Sequence, residues 1–343
     1  MNILIITHSK DNPCITTVTE AIEKKGGKVL RFDTDKYPTE YMMSAEYGMT
    51  APNSLRLKGP DFDIDLEKDI DAVWYRRISV GTGLPADMDA ALRHPSIMES
   101  KRTLFGMKDS MGKFILDPFT KMRYTENKQL QLQLAREVGL EIPETLITND
   151  ADKVREFYQR LQRPLITKMQ HSFAVHKNGE EHVVFTNELN EEDVKDLDGL
   201  EFCPMQFQEK VDKKLELRVT IVGDRVFTAA IDSSKSKDSE IDWRREGHKT
   251  LDAWVPYDLP ADIEEKMLTM MDKLGLNYGA GDILLTHDDR YLFLEINPAG
   301  EFFWIDRIMD HQISDAIGDV LMGNAKRRTN DILTPFSAEV GII

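Results

Sequence analysis

Cysteine and long apolar runs are both scarce in this sequence. Two cysteines, Cys14 and Cys203, occur among 343 residues, and neither has a neighbouring Cys or His, which argues against a disulfide framework and a zinc site. No apolar run approaches the length that spans a bilayer. The apolar stretch near the N-terminus lacks the basic segment and cleavage site of a signal peptide. The sequence therefore predicts a cytoplasmic protein that does not insert into a membrane.

Positive charge is also in short supply. The chain has 44 lysine and arginine residues against 60 aspartate and glutamate residues, which gives a formal net charge of −16 at pH 7. Such an acidic chain would be repelled by phosphate backbones, so we expect no nucleic-acid partner. With 41% hydrophobic and 30% charged residues, the composition is that of an ordinary globular protein long enough for two or three domains.

A glycine-rich phosphate-binding loop is missing where a dinucleotide-binding fold would need one. The chain begins with a predicted strand at residues 2–7, a helix at 15–25 and a strand at 28–32, which is an open α/β start. The loop after the first strand reads THSKDNPC and has no Gly-x-Gly-x-x-Gly pattern. A Rossmann-type nucleotide site is therefore not supported.

Two adjacent arginines follow a predicted strand in the N-terminal part. The strand covers residues 72–75 and runs directly into Arg76 and Arg77. Paired arginines at a strand end can bind carboxylates or phosphates through several hydrogen bonds at once. Two surface ion pairs would explain the same residues equally well.

The rest of the N-terminal part is predicted from turn and helix signals. We expect a hairpin over residues 54–66 and a helix over 87–112 that is interrupted at Pro95, because proline removes a helical hydrogen bond. A short strand at 115–116 is then stopped by Pro118, and a domain boundary is expected there.

Oxygen-bearing side chains are concentrated in a predicted hairpin near the C-terminal end. Apolar strands at residues 283–285 and 291–294 are joined by the turn sequence His-Asp-Asp-Arg. Asp282 enters the first strand, Glu295 leaves the second, and Asn297 follows one alternate position later, so these side chains would be neighbours. Mg²⁺ takes carboxylate and amide oxygens as ligands. A polar hairpin end that faces water is the alternative, but the flanking runs are too apolar for a solvated edge.

A second predicted hairpin carries Glu216 and Arg218. Its strands cover residues 214–222 and 225–231 and meet at a Gly-Asp turn. Because Glu216 and Arg218 are two positions apart on one strand, they share a face and would point at one ligand. Arg218 could neutralise charge on a transferred phosphoryl group, or it could form a cross-strand ion pair.

Two lysines, a strand end and a polar loop complete the set of candidate positions. Lys128 starts a predicted helix, and Lys168 ends an apolar strand, where its long stem can extend toward an anion. A further strand ends in QFQEKV at residues 206–211. Residues 233–248 are predicted to form a charged loop that contains the run WRR.

Taken together, these motifs resemble those of ATP-grasp enzymes, which join a carboxylate to an amine or a related nucleophile through an acyl phosphate. The sequence Glu-Ile-Asn-Pro at residues 295–298 is similar to the magnesium-binding end of that fold. The sequence Trp-Tyr-Arg-Arg at residues 74–77 is similar to the N-terminal domain of the ATP-grasp peptide maturases that make microviridin-like macrocyclic peptides, or graspetides. The resemblance therefore spans almost the whole chain.

The resemblance implies a role for each candidate residue. Lys128 would reach the phosphates of ATP, and Lys168 would contact the adenine and the α-phosphate side. Glu209, Lys210 and Val211 would contact adenine, and Glu216 would bind a ribose hydroxyl. The residues that would bind Mg²⁺ are Asp282, Glu295 and Asn297. The catalytic arginines would be Arg218 and Arg244, and the substrate-side arginines would be Arg76, Arg77 and Arg245. Many ATP-grasp proteins have a glycine-rich lid after the equivalent of Lys168, and this chain departs from that pattern.

The implied fold is of the mixed α/β (α+β) class. It is an ATP-grasp fold preceded by an open α/β pre-ATP-grasp domain. We expect the N-terminal domain at residues 1–118, a central ATP-grasp subdomain at 119–205, and a C-terminal subdomain with the magnesium site at 206–343.

The implied activity is the ATP-dependent macrocyclisation of a peptide. ATP would phosphorylate an Asp or Glu side chain of a ribosomal precursor peptide, and a Ser or Thr hydroxyl would displace the phosphate to close an ω-ester ring. An ω-amide-forming maturase and a glutamate-adding ligase are alternatives, and a noncatalytic nucleotide-binding regulator is a more distant one. The resemblance also implies binding of a helical leader segment of the precursor, and a homodimer.

Overall fold

Helices and strands alternate along most of the chain. The computed structural model describes residues 1–50, 54–170, 174–177, 180–183, 186–233 and 251–328. The helices in these residues are α1 (Cys14–Lys24), α2 (Ala90–Ser110), α3 (Phe119–Thr125), α4 (Lys128–Glu137), α5 (Ala151–Leu161), α6 (Glu191–Lys195), α7 (Ala261–Leu274), α8 (Phe303–Ile308) and α9 (Gln312–Met322). The strands are β1 (Asn2–Thr7), β2 (Lys28–Asp33), β3 (Met42–Glu46), β4 (Ser54–Lys58), β5 (Asp63–Asp65), β6 (Ala72–Tyr75), β7 (Phe114–Leu116), β8 (Thr145–Thr148), β9 (Leu165–Lys168), β10 (Ala174–Lys177), β11 (Glu180–Val183), β12 (Asn187–Leu189), β13 (Met205–Glu209), β14 (Lys213–Val222), β15 (Arg225–Ile231), β16 (Val255–Pro256), β17 (Tyr278–Thr286) and β18 (Tyr291–Asn297).

A parallel sheet in the order β2-β1-β6-β7 organises the N-terminal part. Its strands are short apolar runs, and α1 covers one face through the fully buried residues Val18 and Ile22. The strands predicted at residues 2–7 and 72–75 are confirmed as β1 and β6, and the helix predicted at 15–25 is α1, displaced by one residue. Open parallel sheets place their ligand-binding loops at the carboxyl ends of the strands, which here include the end of β6.

Arg76 and Arg77 leave the carboxyl end of β6 in a fixed direction. The backbone N–H groups of both residues donate to the carbonyl of Ile6, at 3.0 and 3.3 Å. Beside this sheet, β3, β4 and β5 form an antiparallel sheet, and the hairpin predicted at residues 54–66 is confirmed as β4 and β5.

Helix α2 continues through a proline, so the interruption predicted at Pro95 is wrong. The carboxylate of Asp89 caps the helix by accepting a hydrogen bond from the N–H of Ala91 at 2.7 Å. Pro95 lies in the second turn on the exposed side, where the carbonyl that loses its partner can bond to water instead. Neither α2 nor any other helix of the described ranges has the length and apolar character that a membrane crossing requires.

The central part is an antiparallel sheet in the order β12-β9-β13-β8. Helix α5 is capped by Asp150, whose carboxylate accepts hydrogen bonds from first-turn N–H groups at 2.9 and 3.3 Å. Its buried side chains Val154 and Phe157 pack on Leu165 and Phe207 of the sheet. This packing covers one face of the central sheet.

An antiparallel sheet in the order β16-β15-β14-β17-β18 forms the C-terminal part. One face packs on the buried methionines of α7. The opposite face packs on α1 and α9 around Val222 and Tyr278, whereas Glu216 and Arg218 lie farther along β14 on that same face. The core therefore covers one end of this face and the polar residues occupy the other.

Strand β17 begins earlier than the sequence predicts. Asp282 lies in the middle of this strand, so the prediction that it marks the strand entrance is wrong. The preceding residues include Gly279 and Gly281, which disfavour a strand prediction. Both glycines allow close packing, since an added Cβ would lie 2.8 Å from Ile296 Cδ1 or 2.6 Å from Met267 Cε, respectively.

Asp117 joins the N-terminal part to the C-terminal sheet, close to the predicted domain boundary, whose position stays a prediction. Its carboxylate is buried and accepts hydrogen bonds from the N–H of Tyr278 at 2.8 Å and from the N–H and side-chain amide of Asn277, the nearest at 2.9 Å. Burial raises the pKa of Asp117 to about 6, because these hydrogen bonds offset only part of the desolvation. The first residues of β17 therefore depend on a side chain 160 positions earlier.

We expect Asp117→Ala to lower the free energy of unfolding by about 3 kcal/mol, because each buried donor left unsatisfied costs roughly 1–3 kcal/mol. Urea denaturation followed by circular dichroism measures this loss. Asp224→Ala, in the exposed turn between β14 and β15, is the control and should stay within about 0.5 kcal/mol of the unmodified chain. Equal denaturation midpoints for the two variants would contradict the role of Asp117.

Candidate active site on the C-terminal sheet

Three charged side chains form a row across the C-terminal sheet. Arg218 on β14 lies opposite Asp282 on β17, and Asp282 lies opposite Glu295 on β18. Residues that oppose each other in an antiparallel sheet share a face, so the three side chains project to the same side. The predicted adjacency of Asp282 and Glu295 is confirmed.

Arg218 is bound on two sides. Its Nη1 donates to both carboxylate oxygens of Asp282, at 2.8 and 3.0 Å, and its Nη2 donates to the carbonyl of Glu301 at 3.2 Å. The ring of Trp304 lies 5.8 Å from the guanidinium carbon, measured to the ring centroid. Burial alone would lower the pKa of Arg218, but the Asp282 carboxylate raises it above its ordinary value. The cross-strand ion pair that the sequence left open is therefore present, and it fixes a permanent cation on the sheet.

Lys128 forms an ion pair with Glu295 at the other end of the row. Two neighbours position this lysine at the start of α4. The side chain of Asn127 caps the helix by accepting hydrogen bonds from first-turn N–H groups at 3.1 and 3.2 Å. The Gln131 amide donates to the carbonyl of Ile296 and accepts from its N–H, both at 2.9 Å, and this ties α4 to β18.

Asn297 ends β18 two residues after Glu295, on the same face. Its side-chain oxygen accepts a hydrogen bond from the N–H of Ala299 at 2.9 Å. Among the described residues, no group of three or more His, Cys, Asp and Glu could hold a metal ion. Two carboxylates and one amide nevertheless fit Mg²⁺, which commonly takes few protein ligands and completes its shell with water and phosphate oxygens. The nearby cations Arg218 and Lys128 balance the charge of the two carboxylates.

Glu216 lies two residues before Arg218 and accepts a hydrogen bond from Lys213 at 2.7 Å. Burial raises the pKa of Glu216, and the Lys213 charge offsets part of that rise. Lys213 did not stand out in the sequence, because a lysine at a strand start is ordinarily solvated. The proposed ribose contact of Glu216 stays a prediction.

The residues predicted to contact adenine lie at the end of β13 in the central sheet and in the connection that follows it. The N–H of Glu209 donates to Glu144 at 3.0 Å and the N–H of Lys210 donates to Pro164 at 2.7 Å, so both groups already have backbone partners. Lys168 ends β9 opposite β13. Residues 210–212 connect this sheet directly to β14, so the predicted adenine residues adjoin the strand that carries Arg218.

The side chains of the adenine candidates are also engaged with neighbours. The Glu209 carboxylate accepts hydrogen bonds from the N–H of Glu144 at 3.0 Å and from Arg163 at 2.7 Å. Lys210 donates to Glu188 at 2.8 Å. The predicted adenine contact of these residues stays a prediction.

Arg76 and Arg77, which we call the twin-arginine site, both bind Glu301. Arg76 Nη2 donates to Glu301 Oε2 at 2.5 Å, and Arg77 Nη2 donates to Oε1. Arg76 also donates to the carbonyl of Ala299 at 3.4 Å. The sequence did not single out Glu301, since a carboxylate after a Pro-Ala-Gly turn gives no signal that distinguishes it from a solvated one.

The remaining candidates, Arg244 and Arg245, lie outside the described residues. Gly300 is a further position that the sequence did not reveal. A Cβ added there would lie 2.5 Å from Ala280 Cβ and 2.9 Å from Arg218 Nη2. The loop after β18 therefore approaches Arg218 as closely as only glycine allows.

Two family models match consecutive parts of the chain. The MvdD pre-ATP grasp domain matches residues 2–123, and the RimK-like ATP-grasp domain matches residues 125–321, which is more than half of the chain. The chain belongs to the RimK-like ATP-grasp family. No curated protein matches this ATP-grasp chain.

Several solved structures are similar to this ATP-grasp chain over nearly its full length. A RiPP-associated ATP-grasp ligase from Chryseobacterium gregarium, in complex with ADP and a leader and core peptide, is 40% identical, with coverage of 97% of this chain and 99% of that chain and a TM-score of 0.92. Macrocyclase MdnC from Microcystis aeruginosa MRC, bound with precursor peptide MdnA, is 43% identical over 94% and 100% of the chains, with a TM-score of 0.83. Macrocyclase MdnB from the same organism is 36% identical over 93% and 98%, with a TM-score of 0.76.

These matches confirm the predicted family, the ATP-grasp fold with its pre-ATP-grasp domain, and the prediction of an ATP-dependent ligase. The roles of individual site residues stay predictions. The structure nevertheless brings six of them together on one sheet face and the start of α4, and Glu301 connects these to the twin-arginine site.

We expect Gly300→Ala to destabilise the chain by about 1–3 kcal/mol, because the added methyl group overlaps Ala280 and displaces Arg218 from its ion pair. Scanning calorimetry would record this as a fall of several degrees in Tm. Gly106→Ala is the matched control: it lies inside α2 with nothing within 4 Å of the added Cβ, so it should raise stability by about 0.5–1 kcal/mol. Shifts of the same sign for both variants would contradict the close approach at Gly300.

Proposed function

We propose that this ATP-dependent ligase is a peptide macrocyclase that joins Asp or Glu side chains of a ribosomal precursor peptide to Ser or Thr hydroxyls as ω-esters. The observation that carries the proposal is the charged row of Arg218, Asp282 and Glu295 beside the twin-arginine site. This arrangement can hold a phosphate donor and a carboxylate side by side. The likeness to two macrocyclases and to a ligase in complex with a leader and core peptide supports a peptide substrate.

The proposed reaction has two steps, because a carboxylate at neutral pH is a poor electrophile. First, an oxygen of the substrate carboxylate attacks the γ-phosphorus of ATP, ADP leaves, and an acyl phosphate forms. Second, a hydroxyl oxygen of Ser or Thr attacks the acyl carbon, the hydroxyl proton is released, and phosphate leaves. Each ring therefore removes the elements of one water from the peptide.

The site residues of this ligase support the two steps through charge and position. Arg218 is proposed to stabilise the negative charge that develops on the transferred phosphoryl group, with Lys128 on the neighbouring phosphates. Asp282, Glu295 and Asn297 are proposed to hold Mg²⁺. When bound, Mg²⁺ neutralises charge on the phosphate oxygens. The cofactors are ATP and Mg²⁺, and the residues named here as their binding residues are proposals.

Two loop arginines complete the proposed assignment. Arg244 is proposed to act at the transferred phosphate and Arg245 on the peptide, as the resemblance implies. An ω-amide product or a free amino acid as acceptor would use the same ATP site, so product analysis has to separate these chemistries. We also propose that the chain acts as a cytoplasmic homodimer.

A cavity of about 440 Å³ lies on the central sheet. Leu189, Met205 and Phe207 contribute apolar lining, while Asp193 and Asp196 contribute acidic lining. An apolar helix that carries basic residues would complement this combination of apolar and acidic surface. The cavity shares residues with the apolar cluster under α5, and among the described residues its lining does not include Arg218. We propose it as the leader-binding surface.

We expect intact-mass analysis of the cognate precursor with the chain, ATP and Mg²⁺ to show the loss of one water mass for each ring. Arg218→Ala should lower the rate by roughly 10²–10³, because it removes a cation aimed at charge that develops in the transition state. Arg56→Ala is the matched control, since that exposed arginine pairs with Asp63 on a separate sheet.

The product distinguishes the reaction classes. Rings that mild alkali opens are esters, and rings that resist alkali are amides. ATP binding without any water loss from the precursor would contradict the macrocyclase proposal and would leave an amino-acid ligase or a nucleotide-binding regulator.

We expect Asp196→Lys to weaken leader-peptide binding about fivefold, because charge reversal at a binding rim costs about 1 kcal/mol. Isothermal titration with the leader peptide measures the dissociation constant. Asp258→Lys makes the same charge change at an exposed site outside the cavity lining and should leave binding unchanged. Equal weakening by both variants would indicate a general charge effect and would argue against the cavity.

A further inference from the structure

The twin-arginine site binds a carboxylate that belongs to the chain itself. The two oxygens of Glu301 are divided between Arg76 and Arg77, one oxygen to each guanidinium. Asn12 adds a third donor, with its side-chain amide 2.5 Å from Oε2. Two guanidinium groups and an amide therefore surround one carboxylate, which is the donor set that a free acidic side chain would require.

One half of this cluster is fixed and the other half is accessible. The side chains of Arg76 and Asp11 are 4% and 1% exposed, and Asp11 is held further by the hydroxyl of Thr7 at 2.5 Å. The side chains of Arg77 and Glu301 are 40% and 26% exposed. A ligand from solvent can therefore reach the Arg77 and Glu301 half directly.

The charges of the cluster favour exchange over addition. Arg76 and Arg77 contribute two positive charges, while Asp11 and Glu301 contribute two negative charges, so the cluster is neutral. A second external carboxylate beside Glu301 would leave an uncompensated negative charge in a partly buried place. Replacement of Glu301 by that carboxylate keeps the cluster neutral and offers an acceptor to the three groups that now donate to Glu301.

The backbone of Glu301 places this exchange next to the proposed reaction centre. Its carbonyl accepts a hydrogen bond from Arg218 at 3.2 Å, while its side chain extends to the twin-arginine site. The distance between the two arginine sites is thus spanned by a single glutamate residue. A carboxylate bound by Arg77 would lie within one side-chain length of the cation proposed to act on phosphate.

We propose that Glu301 occupies the binding site for the acidic side chain of the substrate and exchanges with that side chain when the substrate binds. This inference rests on the proposed function for the identity of the substrate as an Asp- or Glu-bearing peptide. An internal carboxylate competes at a high effective concentration, so it lowers the apparent affinity for any external carboxylate. Glu301 thereby restricts the site to groups that bind the two arginines better than a carboxylate of the chain does.

The test compares two capped amino acids as probes. N-acetyl-L-glutamate α-amide carries its only charge on the side-chain carboxylate, and N-acetyl-L-glutamine α-amide is the uncharged control. Dissociation constants are measured by saturation-transfer NMR for the unmodified chain, Glu301→Gln, Glu301→Asp and the double variant Glu301→Gln/Arg77→Ala. We expect Glu301→Gln to bind the glutamate probe at least fivefold more tightly, to leave glutamine binding unchanged, and to lose this gain in the double variant.

Glu301→Asp keeps the test decisive if Glu301→Gln does not fold. Aspartate retains the charge but is one methylene shorter and spans the two arginines less well, so a smaller gain in the same direction is expected. Unchanged or weaker binding of the glutamate probe by the folded variants would overturn the exchange.

Ring formation by the unmodified chain is measured separately with the precursor, which distinguishes the two proposals. Ring formation without tighter probe binding by the variants overturns the exchange and leaves the macrocyclase proposal intact. Tighter probe binding without any ring formation overturns the macrocyclase proposal and leaves the carboxylate exchange intact.

Discussion

The ion pair between Arg218 and Asp282 is the interaction on which the rest of the site depends. A guanidinium as buried as that of Arg218 is stable only with a partner, because an unpaired buried charge costs several kcal/mol. Asp282 supplies that partner from the middle of β17 and also stands opposite Glu295. The Asp282 carboxylate, which is also a proposed metal ligand, thereby links charge on β14 to charge on β18. Lys128 closes the row at Glu295, so the site is electrically balanced across three strands and one helix.

The loop that follows β18 connects the N-terminal domain to the candidate site through contacts with Arg76 and Arg77. The carbonyl of Ala299 accepts from Arg76, and the carbonyl of Gly300 accepts from the Tyr278 hydroxyl at 2.6 Å. Glu301 contributes its carbonyl to Arg218 and its carboxylate to Arg76 and Arg77. These contacts connect the twin-arginine site to Arg218 through one short segment. Displacement of Glu301 by a substrate would consequently be transmitted to the same loop that carries a proposed metal ligand.

Much of the local structure and of the candidate site could be predicted from the sequence, because strand and helix periods are local properties. The alternation of Glu216 and Arg218 identified one face of β14, and Asp282, Glu295 and Asn297 were correctly predicted to be neighbours on a hairpin. The two errors have different causes, which are solvent exposure at Pro95 and close packing at the glycines of β17. α2 tolerates Pro95 on an exposed turn, and β17 accommodates Gly279 and Gly281 because neighbouring side chains leave no room for a Cβ.

The sequence by itself determined which residue types share a strand face, and through the resemblance it determined the family. Only the tertiary structure decided which of them meet. Lys128 contacts Glu295 across 167 positions, and Arg76 contacts Glu301 across 225. Such contacts depend on how sheets and helices pack, and no local pattern encodes that packing. For this reason the role of Glu301, which contacts Arg218 as well as Arg76 and Arg77, could not be predicted from the sequence.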